Sequence, residues 1–229
     1  MKLALPSRYN AVLKVSPSHM TLSKNSEELI TSIVEQIADK GYAVARDFLS
    51  PEDIRAFNVH AQELKHQGLM HQATTGQNHH VTNLRGDFIY WIEAQEASNV
   101  EQLYLDLMHE LQNSLNQAFF LGLFELESHF AIYPAGSGYQ KHLDQFIGQE
   151  DRKVSAILYL NQEWKSEDGG QLRIYLDKTN DHSTIDISPE AGTLVVFLSR
   201  DFLHEVLPAK RERLSITGWF RTRSITSTT

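Results

Sequence analysis

The chain has 229 residues, a formal net charge of −8, 41% hydrophobic residues and no cysteine. This composition supports one sizeable core, excludes disulfides and thiolate metal ligands, and leaves histidine and carboxylate as metal ligands. The acidic balance argues against a nucleic-acid partner, which requires a basic surface.

The sequence contains no apolar stretch long enough to span a bilayer, and residues 1–15 contain no signal-peptide core. No linker or repeat divides the chain. We therefore expect a cytoplasmic protein without a membrane partner, folded as one domain over residues 1–229. The sequence does not indicate an oligomeric state.

Three helices are predicted in the first half of the chain. Apolar residues at helical spacing over 29–37 predict a helix that Gly41 ends. Residues 42–49 form a short apolar segment typical of a strand. The segment 50–53 combines a capping serine, a proline and two acids, which together predict a helix start. A third helix is predicted to begin at Asn99, with leucines along one face.

Short strands dominate the second half, separated by turns that contain glycine or proline. Helices followed by about eight strands predict an α+β protein: a double-stranded β-helix (jelly-roll) core over about 127–222, backed by an N-terminal helical part over about 1–120. The predicted strands cover residues 129–133, 139–144, 154–160, 171–175, 184–187, 193–198 and 213–222.

Between the second and third helices, residues 67–83 are rich in Gly, Thr, Gln and His, and we expect a long mobile loop there. Its histidines, His71, His79 and His80, are an alternative metal site. Solvated loop histidines are the simpler interpretation, because no carboxylate stands at a supporting spacing.

The pattern with the clearest chemical meaning is His142-Leu143-Asp144, followed by His204 and, nine residues later, by Arg213. Two histidines and one carboxylate are the ligands of a mononuclear non-haem Fe(II) site with open positions. Residues i and i+2 of a strand point to one side, so His142 and Asp144 can bind one metal. His204 must then come from a neighbouring strand. Arg213 can pair with a carboxylate, which suggests 2-oxoglutarate as co-substrate.

The final strand alternates between polar and apolar faces. We expect its polar face to line a pocket and its apolar face to pack on the helices. An internal salt bridge is the alternative role for its inward arginine, because an unpaired buried charge is costly. The polar face carries Arg213, Ser215, Thr217 and Trp219, and the apolar face carries Leu214, Ile216 and Phe220.

Five basic residues lie close together near the C-terminus. A solvated strand edge and a substrate-steering surface are both compatible with such a cluster. The residues are Lys210, Arg211, Arg213, Arg221 and Arg223.

In several motifs the sequence resembles the prolyl 4-hydroxylase branch of the Fe(II)/2-oxoglutarate dioxygenases. It is similar to the oxygen-sensing prolyl hydroxylases that modify hypoxia-inducible factor and to their bacterial relatives. The nine-residue step from His204 to Arg213 favours this branch, because demethylating relatives place the arginine further on. The motifs occupy residues 85–93, 133–144, 159–164, 169–174, 204–209 and 213–219.

The resemblance implies a role for each matched residue. His142, Asp144 and His204 would hold iron, and Arg213 would pair with the distal carboxylate of 2-oxoglutarate. The remaining matched positions are Tyr133, Tyr159, Leu172 and Thr217 beside the co-substrate, and Tyr139, Arg152 and Trp219 on the substrate side.

Three of these positions have simpler alternatives. Tyr159 and Leu172 could be plain core residues, and Trp219 could fill the core. Arg85 and Asp87 are expected to form a local ion pair that shapes the long loop.

The resemblance further implies Fe(II), 2-oxoglutarate and O2 as reactants, ascorbate as a candidate cofactor, and hydroxylation of a proline-containing protein or peptide. The sequence departs from the oxygen sensors at the pocket rim, and these differences bear on the identity of the substrate. Gln145-Phe146 follow the metal aspartate where the oxygen sensors carry Asn-Pro. Hydroxylation of a small molecule or free amino acid is one alternative. A non-catalytic jelly-roll binding module is the other, although all four key residues are intact.

Overall fold

In the computed structural model, residues 24–73, 85–145 and 150–223 are described, and they form three α-helices, eleven strands and one short 3-10 helix. The helices are α1 (Lys24–Lys40), α2 (Pro51–His66) and α3 (Asn99–Phe119). The strands are β1 (Tyr42–Ala45), β2 (His71–Gln72), β3 (Phe88–Trp91), β4 (Glu125–Tyr133), β5 (Tyr139–His142), β6 (Arg152–Tyr159), β7 (Leu172–Tyr175), β8 (Thr184–Ile187), β9 (Leu194–Leu198), β10 (His204–Val206) and β11 (Arg213–Arg221).

The helix starts follow from their capping residues. Ser50 accepts a hydrogen bond from the Asp53 amide, with Pro51 as the first helical residue of α2. Ser98 and Glu101 form a reciprocal capping box at the start of α3. The predicted starts of α2 and α3 are therefore confirmed. None of the described helices has the length and apolarity that crossing a membrane requires.

Two antiparallel sheets face each other, which confirms the predicted double-stranded β-helix. The larger sheet has the order β1-β9-β6-β11-β4-β3-β2, and the smaller has the order β5-β10-β7-β8. β11 is central in the larger sheet and pairs along its length with β4 and β6.

The alternation predicted for β11 divides its side chains between two cores. Leu214, Ile216 and Phe220 pack against the helices in the outer core. The inner core lies between the sheets and contains neighbours of the polar face, including Tyr133 and Tyr159. The polar face of β11 therefore points between the sheets, as expected.

The first half of the chain is less purely helical than predicted. β2 and β3 were not expected, and both extend the larger sheet beyond β4. β3 is four consecutive apolar residues without alternation, so periodicity alone does not distinguish it from a helical turn. The predicted strand over 42–49 ends at Ala45, because Asp47 adopts a positive φ of 55°. Residues 74–84 of the expected loop lie outside the described residues.

Substituting Ser98 by alanine removes one half of the capping box, which exposes a helix N-terminal amide without its partner. We expect the free energy of unfolding to fall by about 1 kcal/mol, measured by urea denaturation. The metal site is on the other side of the larger sheet, so Fe(II) affinity should stay unchanged. An unaltered unfolding midpoint would show that the box contributes nothing.

Candidate active site

The three metal-ligating side chains come from two paired strands of the smaller sheet and the turn that follows one of them. His142 ends β5, His204 begins β10, and the two residues are directly paired. Asp144 lies just past the end of β5, so the strand predicted over 139–144 is two residues too long. Each carboxylate oxygen of Asp144 is nevertheless 3.6 Å from one imidazole Nε2.

Both histidines are oriented by the backbone. Nδ1 of His142 lies 2.7 Å from the Gln140 carbonyl oxygen, and Nδ1 of His204 lies 3.1 Å from the Phe202 carbonyl oxygen. Because a carbonyl only accepts, each Nδ1 carries the proton and each Nε2 presents its lone pair to the metal position. The ring of Tyr139 stacks on His142 at 3.6 Å and restricts its rotation.

The Asp144 carboxylate is held ionised in a buried place. Burial alone opposes its ionisation, but the imidazoles of His204 and His142 and the Ser155 hydroxyl outweigh burial and lower the pKa of Asp144. Ser155 Oγ donates to Asp144 over 2.7 Å and lies 2.8 Å from Ser199 Oγ. Burial lowers the pKa of His204 to about 4, against the opposing effect of Asp144.

This donor set fits a mononuclear Fe(II) ion. Two imidazoles and one carboxylate, with ligand atoms within 4.8 Å of one another, form the only group of this kind in the described part of the chain. Of the alternative loop histidines, His71 is exposed in β2, whereas His79 and His80 lie outside the described residues.

Arg213 is a fully buried cation without an anionic partner among the described residues. Its side chain is 1% exposed, and its Nε donates to the Gly170 carbonyl over 2.9 Å. The rings of Tyr159 and Tyr133 lie 4.9 and 5.2 Å from its guanidinium carbon. The salt-bridge alternative for Arg213 therefore finds no support in the described structure.

Two buried hydroxyls beside Arg213 have no hydrogen-bond acceptor among the described residues, because a guanidinium can only donate to them. They are Tyr159 Oη and Ser215 Oγ, from directly paired positions of β6 and β11. Burial raises the pKa of Tyr159 to about 12, although the charge of Arg213 opposes the shift, so the hydroxyl keeps its proton. An unpaired buried polar group costs about 1–3 kcal/mol. Orphaned hydroxyls beside an unpaired guanidinium indicate a place for an anionic ligand such as a carboxylate.

The other positions assigned to the co-substrate lie on the same inner surface. Leu172 is completely buried in the inner core with Tyr133 and Tyr159. Thr217 is half-buried and follows Ser215 on the inward face of β11. The structure therefore places Tyr133 and Tyr159 beside Arg213. Leu172 lies in the same inner core, and Thr217 is two inward positions further along β11.

Two of the three positions assigned to the substrate side contact each other, and the third contacts a metal ligand. Tyr139 lies against His142, whereas Arg152 covers the Trp219 ring at 3.8 Å and donates to Glu127 over 2.5 Å. Trp219 is 5% exposed, but its indole Nε1 has no hydrogen-bond partner in the described structure. Its ring fills space and also presents a free donor.

The predicted Arg85–Asp87 ion pair is confirmed, with two bonds of 2.6 and 2.8 Å. The C-terminal cations do not form one exposed basic surface. Arg213 is buried, and Arg221 pairs with Asp151 and Glu127. The charge of Arg221 is thereby compensated locally.

Sequence reasoning missed several residues that shape the site. Ser155 and Ser199 support the metal aspartate, and Trp91 and His129 contact each other on the substrate side. His129 could have been found, because it stands four residues before Tyr133 in one strand and therefore shares its face. The serines carry no comparable signal, since their role depends on contacts between distant strands.

A double-stranded β-helix with an open two-histidine, one-carboxylate site and a buried arginine facing the same space between the sheets defines a class of non-haem iron oxygenases that use 2-oxoglutarate. Comparison with known proteins agrees. The chain belongs to the 2OG-Fe(II) oxygenase superfamily, whose family model matches residues 128–221. Fe(II), 2-oxoglutarate and O2 are the reactants that this family implies.

Two similar solved structures are prolyl hydroxylases. A Pseudomonas putida prolyl-4-hydroxylase is 43% identical, with a TM-score of 0.76, covering 85% of this chain and 100% of that one. A prolyl hydroxylase from Trichoplax adhaerens, in complex with a hypoxia-inducible-factor peptide, is 29% identical, with a TM-score of 0.77, covering 86% and 90%.

Among curated proteins, human Egl nine homolog 1 is 31% identical over 198 residues. That alignment covers 82% of this chain but 45% of the human protein, so the chain spans less than half the length of this relative.

Replacing Ser155 with alanine removes the hydroxyl that orients and stabilises the Asp144 carboxylate. We expect Fe(II) affinity to fall about tenfold, as is typical when a hydrogen bond to a metal ligand is lost, measured by anaerobic equilibrium dialysis. Ser128→Ala, which removes a buried serine on the helix side of the larger sheet, is the control. Equal affinities in the two variants would contradict a supporting role for Ser155.

Replacing Tyr159 with phenylalanine should weaken 2-oxoglutarate binding without destabilising the fold. The hydroxyl has no partner in the described structure, so its removal should not lower the free energy of unfolding. 2-Oxoglutarate affinity should fall about fivefold to tenfold, because one hydrogen bond to its carboxylate is lost. Anaerobic titration of the Fe(II) protein and urea denaturation measure the two effects.

Tyr175→Phe is the matched control, because the Tyr175 hydroxyl bonds Glu205 away from the site. A Tyr159→Phe variant that binds 2-oxoglutarate as tightly as this control would exclude a contact between Tyr159 and the co-substrate.

Proposed function

We propose that this protein is an Fe(II)- and 2-oxoglutarate-dependent dioxygenase that hydroxylates a prolyl residue of a protein. In the overall reaction, O2 and 2-oxoglutarate become succinate and CO2, and one oxygen atom is inserted into a C–H bond of the substrate. The alternative class, a binding module without catalysis, is not favoured, because the three ligands and the arginine are all in place.

The observation that carries the proposal is the pairing of an open metal triad with the unpaired buried cation Arg213. A metal site alone would suit many reactions. A buried guanidinium with two hydroxyls beside it favours an anion, and one end of a dicarboxylate would bind there and leave its other end for the metal.

The protein's own groups supply binding, orientation and electrostatics. His142, Asp144 and His204 would hold the iron, which supplies the redox chemistry and the activation of O2 when bound. Arg213 and Tyr159 would bind the distal carboxylate and set the direction of the co-substrate. The apolar inner core around them limits access of water to the reacting centre.

A prolyl residue of a protein is supported as the target by the solved relatives. The Pseudomonas putida relative is a prolyl-4-hydroxylase, and the Trichoplax relative is described with a peptide. Aromatic side chains on the substrate side, including Trp219 and the half-exposed Trp91, can pack against a proline ring. On the family resemblance alone, the proposal also includes ascorbate as a reductant and a cytoplasmic location.

The proposal is tested with a library of peptides that carry one central proline in varied flanking sequences, including the hypoxia-inducible-factor peptide bound by the Trichoplax relative. With Fe(II), 2-oxoglutarate and air, at least one peptide should gain 16 Da at the proline, and succinate should form in equal amount. Mass spectrometry with fragmentation locates the added oxygen.

The experiment has two controls, one in the peptide and one in the protein. Matched peptides with alanine in place of proline should gain no mass, and the His204→Ala protein should give neither product. Turnover of 2-oxoglutarate that no proline peptide stimulates, together with oxidation of a free amino acid, would replace the prolyl proposal with the small-molecule alternative.

A further inference from the structure

His129 is a buried histidine on the inner surface of the site that neither the metal nor the co-substrate accounts for. It is 1% exposed in β4, directly paired with Thr217 of β11 on one side and with Trp91 of β3 on the other. Directly paired residues share one face of a sheet, so His129 points between the two sheets, as Arg213 does. Along β4, His129 is four residues, or about 13 Å, from Tyr133, the residue that pairs with Arg213.

The two nitrogens of the ring are in different situations. Arg85 Nη2 lies 3.2 Å from His129 Nε2, and because a guanidinium only donates, Nε2 is the acceptor of this bond. The proton of the neutral ring is then on Nδ1. That Nδ1–H is buried and has no hydrogen-bond partner among the described residues.

The environment keeps the ring neutral. Burial lowers the pKa of His129 well below its usual value, the charges of Arg85 and Arg152 lower it further, and Asp144 opposes them only in part. The side chain therefore stays a neutral donor throughout the physiological pH range. It is not a further metal ligand, because its one lone pair is taken by Arg85.

His129 lies beside aromatic residues on the substrate side of the site. Its ring centroid lies 4.8 Å from that of Trp91 and 5.3 Å from that of Trp219. Through Arg85, which lies 5.1 Å from the Tyr139 ring, this group of residues continues to the ring that stacks on His142. The unpaired donor is thus part of a continuous aromatic and cationic surface beside the metal ligands.

We propose that His129 is a substrate-binding residue whose Nδ1–H donates a hydrogen bond to a backbone carbonyl oxygen of the bound peptide. This inference rests on the proposed function. A donor without an acceptor in the free protein indicates that the acceptor arrives with a ligand. Proline has no backbone N–H, so carbonyl oxygens are the backbone groups that every prolyl substrate offers.

Two substitutions separate this role from a structural role through Arg85. His129→Asn keeps an N–H group close to the place of Nδ1 but loses the acceptor for Arg85. His129→Gln keeps an acceptor close to the place of Nε2 for Arg85 but loses the donor. The control is His109→Leu, which alters an exposed histidine of α3.

The probe is the best proline peptide of the library, and the measurements are its KM and kcat, the ratio of succinate to hydroxylated peptide, and 2-oxoglutarate affinity without peptide. We expect His129→Gln to raise the peptide KM about tenfold, the size of one lost hydrogen bond, and to release succinate in excess of product. His129→Asn should stay within about threefold of the wild type in KM. Neither change should alter 2-oxoglutarate affinity.

The reverse order, with His129→Asn impaired and His129→Gln normal, would show that the residue only anchors Arg85 and would overturn the inference. Weaker 2-oxoglutarate binding with an unchanged peptide KM would assign the donor to the co-substrate and overturn it as well. If the wild-type protein itself hydroxylates no peptide, the proposed function fails first, and the inference falls with it.

Discussion

The site depends on the central position of β11 in the larger sheet, because that strand belongs to two environments at once. Alternate residues pack against the helices and face the space between the sheets. The apolar half, with Ile216 and Phe220 completely buried, provides the burial that stabilises the sheet. That stability allows Arg213 to be held buried, with no counter-charge among the described residues, which an isolated strand could not do. The chemistry of the inner surface is therefore tied to the packing of the outer one.

The positions of the metal ligands also depend on strand pairing and backbone contacts. Pairing of β5 with β10 brings together His142 and His204, which are far apart in the sequence, and carbonyl groups select the tautomer in which both Nε2 atoms can ligate. Asp144 is buried but compensated by the imidazoles and by Ser155. Along the inner surface, polar groups that lack an acceptor in the described part of the chain mark places for ligands: Tyr159 and Ser215 beside the arginine, and His129 beside the tryptophans.

Much of this arrangement is predictable from the sequence, because its signals are local. The segment Ser50-Pro51 predicts the start of α2, and the leucine face that begins after Asn99 predicts α3. The alternation of β11 predicts which side chains face inward. The spacing of the histidines, aspartate and arginine predicts the ligand set. β3 was missed, because four apolar residues in a row have no helix- or strand-like period. The inward position of His129 follows from its spacing to Tyr133 in β4. The contacts of Ser155 with Asp144 and of His129 with Arg85 join residues distant in the sequence, and no local pattern records such contacts.

The central claim is that a metal triad and an arginine anchor act together on one co-substrate. Its most direct measurement is an anaerobic titration of the Fe(II)-loaded protein with 2-oxoglutarate, followed by the visible charge-transfer absorption of the chelate. The account predicts a band that saturates at one equivalent, that is absent in His142→Ala and that needs far more 2-oxoglutarate in Arg213→Gln. A folded wild-type protein that shows no band, and no 2-oxoglutarate-dependent succinate in air, would contradict it.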